Sequence, residues 1–284
     1  EKGNQWGKAL ELLKSMEDCG VEADTITYSA AISACGNGNQ WGTALQLLGA
    51  MVEGGVEINT ITCSAAISAC EKGNQWLKAL EVLGIMEEGS VDLNTITCNA
   101  AISACEKGCQ WGKALELLVA MLNGRIETSA ITYNAAISAC EKGGEWQQAL
   151  ALFAEMHMRS LEPQLITQNS AISACSRGNE WRLALSLLCQ ARRSGFDLDV
   201  ITYNAAISAC ERGQQWQQAL ALLFEMQVGL GAIPEVITYS TVISACEKGK
   251  QPDRALQLFE QMQEEGLRPN VVTYSAAISA CEKC

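Results

Sequence analysis

The stretch ITYNAAISACEKGGEWQQALALFAEM, Ile131 to Met156, decides the fold, because the chain spells close variants of it every 35 residues. Aligned on the signature T-Y-S/N, the copies start at Thr25, Thr60, Thr95, Ala130, Leu165, Val200 and Val236, and an eighth opens at Val271. The full repeats run 25–59, 60–94, 95–129, 130–164, 165–199, 200–235 and 236–270, with partial copies at 1–24 and 271–284, and only 200–235 has 36 residues. One such repeat cannot bury its own apolar face, so stacking of like repeats is the expected solution. A fixed period points to a single all-α solenoid over 1–284, where length alone would suggest one or two globular domains. The chain opens and stops in mid-repeat without an initiator Met, so it is expected to be a piece of a longer protein.

Apolar spacing sets the helices. Tyr28, Ala31, Ile32 and Cys35 fall at i, i+3, i+4 and i+7 and predict a first helix of about three turns, helix A. Trp41, Ala44, Leu45, Leu48 and Met51 predict a second, helix B. Gly38 is expected as the left-handed residue that ends helix A and Gly55 as the residue that closes helix B. The polar residue before each T-I-T is expected to be an N-cap. All seven Trp (Trp6, Trp41, Trp76, Trp111, Trp146, Trp181 and Trp216) share the phase that begins helix B and are read as packing residues. Pro252 takes that place in the last full copy, which suits a first helical turn, and its repeat is expected to pack less tightly.

Composition excludes several classes. No apolar run approaches the roughly 18 to 20 residues of a membrane span. Eight of the fourteen Cys (Cys35, Cys70, Cys105, Cys140, Cys175, Cys210, Cys246 and Cys281) recur at one phase. Equivalent positions in stacked helical repeats sit about 10 Å apart, beyond the ~7 Å Cα limit of a disulfide, so these are expected to be small buried hydrophobes in a reducing compartment. With His157 the only histidine and no C-x-x-C pair, neither a metal site nor a cofactor is implied. No nucleophile with a paired base can be assembled around one His, and the H-x-E and P-C-x-x-C pattern of zinc deaminases is absent, so the chain is not expected to be an enzyme.

The net charge of −12, from 32 acids and 20 bases, runs against nucleic-acid binding when taken in bulk. Taken by position it reads differently. A base stands at one phase in eight of nine copies (Lys2, Lys72, Lys107, Lys142, Arg177, Arg212, Lys248 and Lys283), with Asn37 the exception. Such a row suits the dipole at the end of helix A or a row of phosphates. The acid just before most of them, such as Glu71, Glu106 and Glu211, is expected to weaken the second of these.

A 35-residue unit reading V/I-T-Y-N/S-x-x-I-S-A-C-x-K-G, then A-L-x-L-x-x-x-M, then G-x-x-P-D/N, resembles the pentatricopeptide repeat family over essentially the whole chain. The departures are Trp at the start of helix B, Cys63, Cys98 and Gln168 in the Tyr place, and a linker proline kept only at Pro163, Pro234 and Pro269. The resemblance implies a right-handed superhelical α-solenoid whose helix A layer binds single-stranded RNA at about one base per repeat. Carried over residue by residue, the base-facing set is Ser29, Ser64, Asn99, Asn134, Asn169, Asn204, Ser240 and Ser275. The last residue of each repeat assists: Asn59, Asn94, Ser129, Gln164, Asp199, Glu235 and Asn270. Ile26, Ile61, Ile96, Ile131, Ile166, Ile201, Ile237 and Val272 are implied to wedge between bases, and the basic row to lie near phosphates.

The family's pairing tendencies imply 5′-A-A-C-N-U-N-A-3′, with the Asn134/Gln164 and Asn204/Glu235 repeats undetermined. Seven neutralised phosphates would give a log-log salt slope near −5, at about −0.7 each. The resemblance also implies a mitochondrion or chloroplast. The residues alone leave two readings open, an RNA track in organellar RNA processing, stability or translation, and a protein-binding scaffold or structural subunit of a large assembly. Asn and Ser as merely solvated helix residues would suit the second.

Overall fold

The structure, a computed structural model, describes residues 5–229 and 233–282. Among the described residues there are sixteen α-helices and no strands. Helix B of the opening partial copy is α1 (Trp6–Asp18), and the pairs follow as α2 (Thr25–Asn37) with α3 (Trp41–Glu53), α4 (Thr60–Lys72) with α5 (Trp76–Glu88), and α6 (Thr95–Lys107) with α7 (Trp111–Asn123). Next come α8 (Ala130–Gly143), α9 (Trp146–Met158), α10 (Leu165–Arg177) with α11 (Trp181–Arg193), α12 (Val200–Arg212) with α13 (Trp216–Gly229), α14 (Val236–Lys248) with α15 (Pro252–Glu264), and α16 (Val271–Glu282). Each helix A begins on the residue at which a sequence copy starts. Pro252 occupies the first turn of α15.

The chain forms two compact units, Glu1–Gly143 and Gly144–Cys284. In the first, α2, α4, α6 and α8 stack in succession, while α3, α5 and α7 each lie against their own helix A and the next one. In the second, α10, α12, α14 and α16 stack in the same way, with α11, α13 and α15 packed between. The helix A layer is built from small side chains because each of these helices must fit between two neighbours. Ala66, Ala69, Cys70, Ala101, Ala104 and Cys105 are completely buried. The recurring cysteines are all buried except Cys281. Burial pushes Cys70 and Cys105 up to about 11 and Cys175 up to about 12, so they stay protonated near neutral pH and act as packing groups.

The polar N-caps are where the sequence places them. Asp24, Asn94, Asp199 and Asn270 each accept the backbone N–H three residues on, at 2.8 to 2.9 Å. Gly55 is left-handed, with φ of 66°. Gly38 is not: its φ is −85°, and the left-handed residue is Asn39, at 58°. The turn after helix A closes in the Schellman pattern around that next residue, as in the bonds from Asn74 N–H to Glu71 O and from Gln75 N–H to Cys70 O.

The repeated glycine has another cause. A Cβ at Gly38 would stand 2.2 Å from Cδ1 of Trp6, and Gly73 meets Trp41, Gly108 meets Trp76, Gly143 meets Trp111, Gly178 meets Trp146, Gly213 meets Trp181 and Gly249 meets Trp216 at 2.3 to 2.5 Å. The indole of each helix B thus lies on the bare backbone at the end of the next helix A. This contact locks one repeat to its successor.

Of the residues in the Tyr slot, Gln168 is the buried one whose polar group is left over. Tyr133, Tyr203 and Tyr239 are buried, and the hydroxyls of Tyr203 and Tyr239 donate to Glu225 and Glu265 at 2.9 and 2.7 Å. Gln168 fills the same slot at 2 % exposure with its Oε1 lacking a partner. A buried carbonyl oxygen left unpaired costs about 1–3 kcal/mol. Gln168→Met, of similar length and with no acceptor to satisfy, is therefore expected to raise stability by about 1–2 kcal/mol in thermal or urea unfolding. No gain would mean that the amide is satisfied in solution.

Candidate functional site

The first turn of each helix A sends three kinds of side chain in three directions. The second residue points outward: Ile26, Ile61, Ile96, Ile131, Ile166, Ile201, Ile237 and Val272 are 59 to 78 % exposed. Isolated exposed aliphatics are ordinary, but Ile in seven copies and Val in the eighth, at one phase and mostly exposed, form a pattern in each unit that the core does not use. The third residue, always Thr, points inward, and Thr62, Thr97, Thr132, Thr167, Thr202, Thr238 and Thr273 are fully buried. The fifth residue stands at the edge. Ser29, Ser64, Asn99, Asn134, Asn169 and Asn204 are half-buried, Ser240 is buried, and Ser275 is exposed.

Across five of the steps the Thr of one repeat meets the fifth residue of the repeat before it. Thr132 Oγ1 donates to Asn99 Oδ1 and Thr238 Oγ1 to Asn204 Oδ1, each at 2.7 Å, and Thr202 Oγ1 lies 2.5 Å from the Asn169 amide. Ser64 pairs with Thr97 at 2.6 Å and Ser240 with Thr273 at 2.7 Å. The last residue of each repeat joins the same network, because it is the N-cap of the next helix A. Asn94 Oδ1 takes both the backbone N–H and the hydroxyl of Thr97, at 2.9 and 2.8 Å, and Asp199 Oδ1 takes those of Thr202. Backbone N–H groups of Asn59, Ser129, Gln164, Glu235 and Asn270 donate to the hydroxyl of the Thr three residues later, at 2.9 to 3.3 Å.

Two recesses gather these groups with the basic row. In the first compact unit Ile61, Ser64 and Lys72 of α4 line a recess with Ser33 and Asn37 of α2. In the second, Ile237 and Ser240 of α14, Asn270 and Val272 at the start of α16, and Arg212 of α12 line another. An aliphatic, a hydroxyl or amide and a cation within one recess can stack on a ring, hydrogen-bond its edge and face an anionic linkage.

The cations are exposed but not idle. Lys107 Nζ is 3.0 Å from Glu71 Oε1, Lys142 is 2.8 Å from Glu106, and Lys248 is 2.5 Å from Glu211, so the acid of one repeat pairs with the base of the next. Ser103, Ser138 and Ser244 donate to the same three carboxylates at 2.9 to 3.0 Å. Half-exposed pairs of this kind stabilise by about 0–1 kcal/mol each. At the step where Gly36 and Asn37 replace Glu and Lys, Lys72 instead donates to Asn37 Oδ1 at 2.9 Å. Arg177 and Arg212 are exposed, and Lys2 and Lys283 lie outside the described residues.

Sequence reasoning missed the buried Thr and the Ser of I-S-A-C as polar connectors between repeats. Their signal was a hydroxyl held at one phase where an apolar residue would have satisfied the helix. Among the described residues no group of three or more His, Cys, Asp or Glu could hold a metal ion, and no helix is long and apolar enough to cross a membrane.

Three family models match along the chain: the PPR repeat family at 128–177 and 234–283, the pentatricopeptide repeat domain at 46–107 and 186–246, and the PPR repeat at 26–56, 96–126 and 169–196. No curated protein matches it. Among solved structures, the chain is similar to the pentatricopeptide repeat protein PPR10 in complex with an 18-nucleotide psaJ RNA element, with a TM-score of 0.85, 21 % identity, and coverage of 99 % of this chain and 41 % of that one. PPR10 from maize gives a TM-score of 0.58 at 23 % identity, covering 99 % of this chain and 45 % of that one. The PPR domain of Arabidopsis thaliana protein-only RNase P 1 in complex with tRNA gives 0.55 at 14 % identity, covering 64 % and 95 %. At these identities the likeness is one of fold, and the chain spans about two fifths of the length of PPR10.

Proposed function

The chain belongs to the pentatricopeptide repeat family, and from that premise we propose that it binds single-stranded RNA along the helix A face, at about one base per repeat, and acts by binding and not by catalysis. The observation that carries this is the row of exposed isoleucines beside half-buried Asn and Ser, recurring at the helical-repeat step and unused by the fold. Relatives of the same fold are bound to RNA in their solved structures, which supports the reading. In the proposal the isoleucines wedge between bases, the fifth and last residues of each repeat meet base edges, and Lys72, Lys107, Lys142, Arg177, Arg212 and Lys248 lie near phosphates. The same repeat is spelled in both compact units, which supports reading 1–284 as one array of repeats in sequence. Proteins of this family are typically organellar, and a mitochondrion or chloroplast is proposed on that ground.

The Glu–Lys pairs change the expected electrostatics. If Lys107, Lys142 and Lys248 keep their carboxylates, Lys72, Arg177 and Arg212 are left to release counterions, and the salt slope should lie near −2, about three phosphates at −0.7 each. Filter binding of the chain to a randomised single-stranded RNA pool between 50 and 300 mM salt, roughly the range over which such slopes are read, tests both points. A slope near −5 would mean that the pairs open onto phosphates. No binding to any member of the pool would move the assignment to the second reading, a protein-docking scaffold, which the pairing of Lys107, Lys142 and Lys248 with carboxylates favours.

A further inference from the structure

Ser64, Asn99, Asn169, Asn204 and Ser240, at the edge of the helix A face, each lean on one buried threonine, and a hydroxyl has a single proton to give. Thr97 Oγ1 lies 2.8 Å from Asn94 Oδ1 and 2.6 Å from Ser64 Oγ. Asn94 Oδ1 also takes the Thr97 backbone N–H at 2.9 Å, so that atom is the amide oxygen and only accepts. The Thr97 proton therefore goes to Asn94, and Ser64 must donate to Thr97. Ser64 is left with oxygen lone pairs on its open side.

Thr132 is wired the other way. Its oxygen takes the Ser129 backbone N–H at 3.0 Å, and its nearest acceptor is Asn99 Oδ1 at 2.7 Å, with Ser129 Oγ farther off at 3.3 Å. Its proton holds the Asn99 oxygen inward, and the amide N–H2 turns out. Thr238 repeats this at Asn204, accepting from Glu235 N–H at 3.1 Å and donating at 2.7 Å.

We infer that Thr97, Thr132 and Thr238, third-position threonines of their repeats, are specificity-determining positioning residues, whose hydroxyls fix whether the groove side chain of the repeat before offers a donor or an acceptor to a base. This rests on the RNA-binding reading above. Asn99 and Asn204, amide hydrogens outward, take bases with an acceptor facing them, such as N3 of cytosine or O4 of uracil. Ser64, lone pairs outward, takes a base that offers amino hydrogens, as adenine does. Buried between helices, the threonine touches no base. Its effect is transmitted through an amide or hydroxyl that would otherwise rotate, and an Asn free to flip offers either end equally well.

The test is selection from a randomised single-stranded RNA pool by the full chain, with sequencing of the bound fraction. Asn99→Ser marks which nucleotide of the enriched sequence Asn99 faces. At that nucleotide the wild type is expected to prefer one base class by roughly tenfold or more, the value of a good side-chain pair to a base edge. Thr132→Val keeps the shape and deletes the hydroxyl, and should reduce that preference to within about twofold while leaving the other positions alone. Thr132→Ser restores the hydroxyl and should restore the preference.

Thr238→Val applies the same test at Asn204 should Thr132→Val fail to fold by circular dichroism. A Val variant that keeps the preference, or that weakens binding to all sequences alike, overturns the inference and leaves RNA binding standing. A wild type without preference at any position removes base reading itself, and the relay with it.

Discussion

Gly73→Ala is expected to destabilise the first compact unit by about 2–3 kcal/mol, at the upper end of overpacking costs, although Ala is ordinarily the better helix residue. The new Cβ would stand 2.3 Å from Cδ1 of Trp41 and 2.7 Å from Cγ, inside any van der Waals contact. The ring cannot retreat cheaply, because Trp41 is half-buried against the core of its own repeat. Backbone strain is not the cause, since Gly73 has φ of −80° and Ala tolerates that value. The two explanations separate in a double-mutant cycle. If the clash is the cause, Trp41→Ala should make Gly73→Ala nearly neutral, with a coupling energy of about 2 kcal/mol in urea unfolding. Additive effects would show that the glycine is required for another reason. The companion position gives the reverse result: Asn74, at φ of 56°, should accept Gly without loss.

The second large effect concerns binding. Replacing Ile61, Ile96 and Ile131 together by Ala is expected to weaken RNA affinity on the order of a hundredfold, taking about 1 kcal/mol per position from the low end of stacking contributions. These side chains are 62 to 68 % exposed, so each substitution should change stability by less than about 0.5 kcal/mol. Affinity and stability are thereby separated. Filter binding with a selected RNA and a parallel thermal melt read both, and unchanged affinity in a folded triple variant would take the isoleucine row out of the interface. Electrostatics alone cannot substitute for it, because the acidic chain holds three of its groove cations in pairs with Glu71, Glu106 and Glu211.

Much of this was legible in the sequence because a repeat protein writes the same local instruction many times. The start of every helix A could be read from T-Y-S/N, and the N-caps from the polar residue before it, since both depend on side chains within four residues of each other. What stayed hidden depends on contacts one repeat away. Gly38 looks like a chain-reversal glycine until Trp6, 32 positions earlier, is seen lying on it. Glu71 looks like a neighbour that weakens Lys72, yet its partner is Lys107, in the next repeat. The buried Thr reads as a helix-start residue, and only the stacking of repeats shows that its hydroxyl ends on Asn99 or Ser64. The orphan oxygen of Gln168 is likewise a matter of what the second compact unit packs around it.

The central claim, that nucleotides lie along the first turns of the helix A layer, is tested most directly by photo-crosslinking. The chain bound to single-stranded RNA containing 4-thiouridine would be irradiated, digested and mapped by mass spectrometry. The account predicts crosslinks in peptides from the starts of α4, α6, α12 and α14, on or beside Ile61, Ile96, Ile201 and Ile237. Crosslinks confined to helix B peptides, or none from a chain that has retained the RNA, would contradict it.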